Sequence, residues 1–560
     1  MANPGDTSAA FCATLVDEWV RAGVRHAMVS PGSRSTPLAV ALASRPEVRL
    51  HIFHDERSAG FAALGAGRAA GFPAVVLCTS GTAAAHFAAA VHEAHLSRVP
   101  MIVCTADRPP ELRDVSAPQT IDQTMMYGSA VRWFHDPGVP AEDARHSWRS
   151  LARRAVAASV GTLPGPVHLN LPFREPLLGS TGELPPPQDA HVRRATLGTR
   201  ADDIDGLRRA ASARRGVVIA GRGSGPGVLE FASRLGWPVL ADATSGARTD
   251  HGNVVLGFDP VLRSERFAAS HLPEVVVRVG DLPASKVLSQ WVARSGAAVI
   301  QLTGDEAVVD PDHTVSRVVT GPLTEVLSAA SVPGIDCCDS AWLADWRRAD
   351  AAAQHAIDEA GAAGTSEFSA ARAVTRACRP GSNLVVSSSM PIRDVEWYGT
   401  STEGVVVHSN RGANGIDGVV STAVGIALVT GAPTVLYTGD IAFIHDTNGL
   451  WGLGARGVEL TVVVTNNDGG SIFSFLPQAS QVDGATFELL YGTPHGVDIA
   501  SLAHAHGISH VTVTSATALQ AEVSAGGTKI VEFRTDRHAN VAEHDIVNAA
   551  VAAAVDAATA

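Results

Sequence analysis

The chain has 560 residues, 46% of them hydrophobic and 18% charged, and its 43 Lys and Arg against 56 Asp and Glu leave a net charge of −13. That apolar content excludes a disordered chain, and the length calls for roughly three or four domains. The negative balance excludes a bulk electrostatic grip on nucleic acid or on an anionic membrane, so any anionic ligand has to be held by local arginines.

The opening segment MANPGDTSAAFCATLVDEWV has no basic stretch followed by an apolar run, so no secretory leader is expected. Short β-branched runs then alternate with Ala-rich helical stretches. In chain order they include HAMVS from His26, AVVLCTS from Ala74, PMIVCTA from Pro100, GVVIAG from Gly216 and VVVRVGD from Val275. AAVIQLTG from Ala297, NLVVSSS from Asn383, PTVLYTGD from Pro433 and LTVVVTNND from Leu460 continue the series. This alternation predicts an α/β protein with parallel sheets flanked by helices. A Pro-rich run, GELPPPQ from Gly182, and a polar stretch over 330–367, read as a connecting helix, divide the chain into domains at 1–185, 190–340 and 365–560.

The uncharged stretch 418–439 is broken by Gly431-Ala432-Pro433. It reads as a buried helix (STAVGIALVTG) and a buried strand, and no membrane insertion is expected. Cys12, Cys78, Cys104, Cys337, Cys338 and Cys378 form no CxxC pair, which fits a reducing, cytoplasmic setting. His86, His92 and His95 share an Ala-rich helix without acidic or cysteine partners, so zinc is not expected there. GVVIAGRGSGPG (216–227) is a strand and a Gly-rich turn without the full dinucleotide fingerprint, so neither NAD nor FAD is expected.

Residues 73–109 can be laid over 433–470. Each reads as Pro, strand, small or Gly turn, helix of about three turns, and strand ending in a Thr-led turn. The echo suggests two domains of like fold flanking a different one. Within it, Gly439-Asp440 and Asn467, with 26 residues between them, stand at the ends of successive strands. Parallel strands bring both ends to the carboxyl edge, where open α/β sheets bind ligands. Asp440, Asn467 and a backbone carbonyl near Gly469 can offer three oxygens to a hard cation such as Mg²⁺, whose coordination phosphate and water usually complete.

This pattern resembles the GDG…NN fingerprint of thiamine diphosphate (ThDP) enzymes, with Ile441 in place of the second Gly. Further motifs narrow the likeness: SPGSRSTPLA (30–39), TSGTA (79–83), TADRPPEL (105–112), APQTIDQ (117–123), SSSMPIRD (387–394), SNRGANGIDG (409–418) and GGSIFSFLP (469–477). Together they resemble the 2-succinyl-5-enolpyruvyl-6-hydroxy-3-cyclohexene-1-carboxylate (SEPHCHC) synthase family of menaquinone biosynthesis, whose substrates are 2-oxoglutarate and isochorismate.

The resemblance implies a pyrimidine-binding first domain and a diphosphate-binding third domain of one fold, with a nucleotide-binding-like central domain that holds no nucleotide. It implies ThDP with Mg²⁺ or Mn²⁺ held by Asp440, Asn467 and Gly469, beside Gly439. Glu56, between a short strand and an Ala/Gly-rich helix, is implied to share a proton with the cofactor's pyrimidine. Ile416 would hold ThDP bent, and Ile472, Phe473 and Leu476 would wall the thiazolium. Arg34, Arg108, Arg393 and Arg411 would bind substrate carboxylates from turn-like motifs, as planar guanidinium forks do well. Ser33, Gln119 and Ser389 would add polar contacts, Ser389 also to the cofactor. Lys286, in LPASKVLSQW (282–291), is a weaker match, because Val287 stands where the family has a second basic residue. A homodimer, or a homotetramer built from it, is the implied assembly. A different ThDP-dependent 2-oxoacid decarboxylase or carboligase, of the acetohydroxyacid-synthase kind, is the alternative, and an inactive regulatory homologue is a third reading. The four arginines speak against a pyruvate-like substrate, and Glu56, Asp440 and Asn467 together speak against inactivity.

Overall fold

The computed structural model describes residues 3–187, 192, 195–225, 227–330 and 339–560. Part of each expected linker, and Cys337 with Cys338, lie outside the described residues. Cys12, Cys78, Cys104 and Cys378 are free thiols. No helix among the described residues is long and apolar enough to cross a membrane.

Among the described residues eighteen strands form three six-stranded sheets, and every pairing is parallel. The first sheet contains β1 (His26–Val29), β2 (Arg49–Ile52), β3 (Ala74–Cys78), β4 (Met101–Asp107), β5 (Trp133–His135) and β6 (Pro166–Pro172). The second contains β7 (Gly216–Ala220), β8 (Val239–Ala241), β9 (Val254–Val255), β10 (Val275–Val279), β11 (Ala298–Thr303) and β12 (Val315–Thr320). The third contains β13 (Asn383–Val386), β14 (Val406–His408), β15 (Thr434–Gly439), β16 (Leu460–Asn466), β17 (Ser509–Val513) and β18 (Lys529–Arg534).

The first sheet runs β2-β1-β3-β4-β6-β5 and the third β14-β13-β15-β16-β18-β17, which is the same order strand for strand. The middle sheet runs β12-β11-β10-β7-β8-β9. That is the doubly wound dinucleotide-fold order, read from its far edge. The internal echo is therefore topological, since β3 and β4 occupy the places that β15 and β16 occupy in the third sheet. Central strands such as β3, β4 and β6 are buried throughout, because helices on both faces of a parallel sheet turn its strands into near-continuous apolar runs.

One feature of the echo fails. The stretch after β15 is not a three-turn helix but a short helix, Asp440–His445, followed by 3₁₀ turns at Thr447–Leu450 and Leu453–Ala455. Gly449, Gly452, Gly454 and Gly457 crowd this stretch, and each weakens a helix interior by about 1 kcal/mol relative to Ala. The expected connecting helix is Ser340–Ala360.

The chain forms two compact units. One contains residues 1–195, 410–431 and 442–458; the other contains 196–409, 432–441 and 459–560. In the first unit, the helix Glu56–Ala70 packs on the helix Val419–Thr430. A Cβ at Gly65 would lie 2.1 Å from the Thr422 carbonyl oxygen, and one at Gly425 would lie 2.0 Å from that of Ala62. Only glycine lets these two backbones approach so closely.

Candidate active site

The site residues of the first unit follow from strand register. Cys78 pairs with Thr105, so Thr79-Ser80 and Asp107-Arg108 emerge together at the carboxyl edge. Arg108 Nη1 donates to Ser80 Oγ (2.7 Å), and Ser80 Oγ donates to the Gln119 carbonyl (3.0 Å). The Gln119 amide returns a bond to the Ser80 carbonyl (3.0 Å). Arg34, buried, donates to the Phe173 carbonyl (2.9 Å) and to Glu175 Oε1 (3.1 Å). Burial first, and the Arg34 charge second, hold the Arg108 guanidinium below its ordinary pKa. Arg34, Arg108 and Gln119 thus gather at one edge. Ser33 is exposed beside Arg34, and its carbonyl accepts from Thr36.

Behind Arg108 lies a buried polar relay. Asp107 Oδ1 accepts from the Arg108 amide (2.7 Å), and Asp107 Oδ2 accepts from Asn170 Nδ2 (2.9 Å) and pairs with Arg113 (2.8 Å). His168 Nε2 and Asn170 Oδ1 meet the Thr105 hydroxyl at 2.8 and 3.0 Å. Burial pulls the His168 imidazole down to about 3, so it is neutral at pH 7.

Glu56 opens its helix half-buried, next to the cap Asp55, whose Oδ1 accepts from the Arg57 amide (2.8 Å). Residues 442–458 bracket it. Asn448 Nδ2 donates to Asp55 Oδ2 (2.7 Å), Arg57 donates to the His445 carbonyl (2.8 Å), and Arg456 donates to the Ile52 carbonyl (2.9 Å). The loop carrying Arg411 and Ile416 belongs to the same unit, and Glu93 pins it. Its two carboxylate oxygens accept from the backbone amides of Gly412 (2.9 Å) and Ala413 (2.6 Å), and Arg68 lies 3.4 Å away. Arg411 is half-buried, and its guanidinium has no partner among the described residues.

In the second unit, Gly439 pairs with Thr465, which sends Asp440 and Asn467 out of one edge. The buried Asp440 carboxylate accepts from the backbone amides of Ile441 (2.7 Å), Asn467 (3.1 Å) and Gly469 (3.1 Å), and His495 Nε2 stands 3.3 Å away. Burial raises its pKa, against the amides and His495. Ile441 is helical, so the family's glycine is not required by backbone conformation there. Gly469 is different. Its φ is +149°, and a Cβ would lie 2.0 Å from the Gly492 carbonyl oxygen.

The residues fit a hard cation. Asn467 Oδ1 is buried without a hydrogen-bond partner, while Nδ2 of the same amide is engaged by Glu367 at 2.7 Å. An orphaned amide oxygen next to a carboxylate suits Mg²⁺.

Ile472 and Phe473 are half-buried in the 3₁₀ turn Ser471–Phe475, and Leu476 follows with 40% exposure. Ser389 carries a φ of +75°, uncommon for a non-glycine and costly enough to suggest a site. Arg393 corrects the sequence reading. It lies in the helix Met390–Tyr398, not in a turn, because Pro391 is accepted in a first helical turn. Its Nη1 donates to the Ser389 carbonyl (2.6 Å). Lys286 stands exposed at the start of the helix Lys286–Ser295, after β10.

Profiles described as the N-terminal TPP binding domain, the middle domain and the C-terminal TPP binding domain of thiamine pyrophosphate enzymes match residues 11–126, 198–386 and 402–531. The 2-succinyl-5-enolpyruvyl-6-hydroxy-3-cyclohexene-1-carboxylate synthase of Myxococcus xanthus is 40% identical, covering 99% of both chains. The chain belongs to the SEPHCHC synthase family of ThDP enzymes. SEPHCHC synthases of Chloroflexus aurantiacus (40% identity over 95% of this chain and 94% of the relative) and Thermobifida fusca (41% over 98% and 99%) agree. A solved benzoylformate decarboxylase from Polynucleobacter necessarius superposes with a TM-score of 0.71 at 16% identity, over 94% of this chain and 99% of the other, and shows the shared fold. Three residues at these sites carry no local motif in the sequence: Glu93, Glu367 and His495. Each acts through a neighbour distant in sequence, which no local motif signals.

Proposed function

We propose that the chain is a SEPHCHC synthase: it decarboxylates 2-oxoglutarate and adds the succinyl unit to isochorismate, releasing CO₂. The observation that carries this is the presence, in one chain, of the Asp440–Asn467 oxygen donors and of the guanidinium cluster around Arg108. Substrates that are dianions need fixed guanidinium forks, and a chain of net charge −13 has to supply them locally. The domains are assigned at 1–185, 190–340 and 365–560.

When bound, ThDP supplies the carbanion chemistry that a 2-oxoacid needs to lose CO₂. Asp440, Asn467 and the Gly469 carbonyl would hold the divalent cation, Mg²⁺ or Mn²⁺, that would neutralise the diphosphate. Glu56 would share a proton with the pyrimidine N1′. Ile416 would hold ThDP bent, and Ile472, Phe473 and Leu476 would form an apolar wall that keeps water from the thiazolium. Arg34, Arg108, Arg393 and Arg411, with Lys286 at the margin, take the substrate carboxylates, and Ser33, Gln119 and Ser389 donate neutral hydrogen bonds. The working unit is a homodimer or a homotetramer.

The test is direct. The protein with ThDP and Mg²⁺ should consume 2-oxoglutarate, not pyruvate, and should consume isochorismate only when 2-oxoglutarate is present. Turnover of pyruvate with no use of 2-oxoglutarate would assign it to the acetohydroxyacid-synthase kind. For the assembly, mixing inactive Glu56→Gln and Asp440→Ala subunits should restore part of the activity. No recovery despite subunit exchange would place each site within one chain.

A further inference from the structure

An asparagine amide that ligates a cation has to present its oxygen, because the NH₂ end offers only donor hydrogens and its nitrogen lone pair is delocalised into the carbonyl. Nothing in the side chain makes that choice, since the two ends have nearly the same shape. At Asn467 the choice is made by Glu367. Its Oε1 accepts from Asn467 Nδ2 at 2.7 Å and from the Thr535 hydroxyl at 3.2 Å. Glu367 cannot swing away. It is 2% exposed, it is the first residue of the helix Glu367–Ala377, and its own carbonyl accepts from the buried Tyr437 hydroxyl (3.4 Å). The preceding residue, Ser366, caps that helix through the Ser369 amide. Thr535 is anchored in turn, its amide donating to the Asn466 carbonyl (2.9 Å). The amide is thereby fixed with its NH₂ on Glu367 and its Oδ1 left buried and unpartnered.

We propose that Glu367 is a positioning residue that selects the oxygen end of Asn467 for the divalent cation. A buried carboxyl group costs stability unless its oxygens are used, and here Oε1 is used on the amide that must not turn. This rests on the reading of Asp440 and Asn467 as the metal site.

The experiment is a Mg²⁺ titration of ThDP binding to the full chain at fixed ThDP, followed by tryptophan fluorescence, with metal-free thermal unfolding to check the fold. Glu367→Met, of similar size without an acceptor, should raise the Mg²⁺ concentration for half-saturation about 10–100-fold, as losing an outer-shell partner does. Glu367→Gln, which keeps an accepting oxygen, should recover most of that loss. In an Asn467→Asp background either end of the side chain is oxygen, so Glu367→Met should cost much less there. An equal cost in both backgrounds, or none in either, would overturn the proposal while Asp440→Ala still abolished Mg²⁺-dependent binding. Wild-type Mg²⁺ dependence in Asp440→Ala would instead sink the metal-site reading itself. Should Glu367→Met fail to fold, Glu367→Gln compared with Glu367→Ala in both backgrounds decides by the same non-additivity.

Discussion

The first and third sheets share one strand order, yet their equivalent strand ends carry opposite chemistry. At the ends of β3 and β4 stand Ser80 and Arg108, a hydroxyl joined to a guanidinium. At the ends of β15 and β16 stand Asp440 and Asn467, a carboxylate and an amide oxygen. The fold fixes where a ligand is met; the side chains at two loops decide whether an anion or a cation is held. In the proposed function the first copy would supply proton transfer and part of the substrate binding, and the third-sheet copy the metal donors, with Arg393 adding a substrate contact there.

The comparison breaks first at Glu56. Glu56→Gln should bind ThDP normally yet lose about 10²–10⁴-fold in 2-oxoglutarate decarboxylation, the usual cost of an acid–base group. Single-turnover CO₂ release from the folded variant checks this, and near-normal release would remove proton transfer from the first sheet.

Arg108→Ala comes next. Losing one charge-assisted contact, worth roughly 1.5–3 kcal/mol, should lower kcat/KM about 10–150-fold while ThDP affinity stays unchanged. Comparing 2-oxoglutarate consumption with full product formation for Arg34, Arg108, Arg393 and Arg411 variants would show which substrate each serves. Arg108 is expected to bear more on isochorismate, and Arg393 on the first step or on both. Wild-type use of both substrates by all four would make the arginines structural.

Much of this was legible in the sequence, for a physical reason. Parallel strands buried on both faces write themselves as apolar runs, and the ends of β15 and β16 bring Asp440 and Asn467 to one edge, as their strand spacing predicts. What stayed hidden depends on long-range packing. Glu93 meets Gly412 and Ala413 more than 300 residues away, and Glu367 meets Asn467 across 100. The stretch after Asp440 was misread as a longer helix because its spacing matched the echo while its glycines did not. Arg393 was misread because Pro391 looks like a turn residue and acts here as a helix starter.

Smaller effects sharpen the comparison. Gly65→Val should force the Glu56 helix away from the Thr422 carbonyl and cost about 1–3 kcal/mol, the range for overpacking. Chemical denaturation reads this, and an unchanged midpoint would contradict the close approach. His168 gives a signal spread over several pH units. Its folded pKa, about 3, lies below the unfolded value near 6.5. The unfolded chain therefore binds a proton first, and the stability His168 contributes is complete above about pH 6.5 and is lost as pH falls toward 3. Between those limits His168→Gln should show a shallower loss of stability on acidification, by up to about 1.4 kcal/mol per pH unit. Parallel curves for the two proteins would mean that His168 is not held neutral.

The division of labour between the two like sheets has one most direct test, the ThDP dissociation constant in saturating Mg²⁺ for four folded variants. Asp440→Ala and Asn467→Ala should lose affinity by more than the roughly 10–100-fold of an outer-shell change, whereas Glu56→Gln and Arg108→Ala should bind within the error of the parent. Retained affinity in the first pair together with lost affinity in the second would contradict the account.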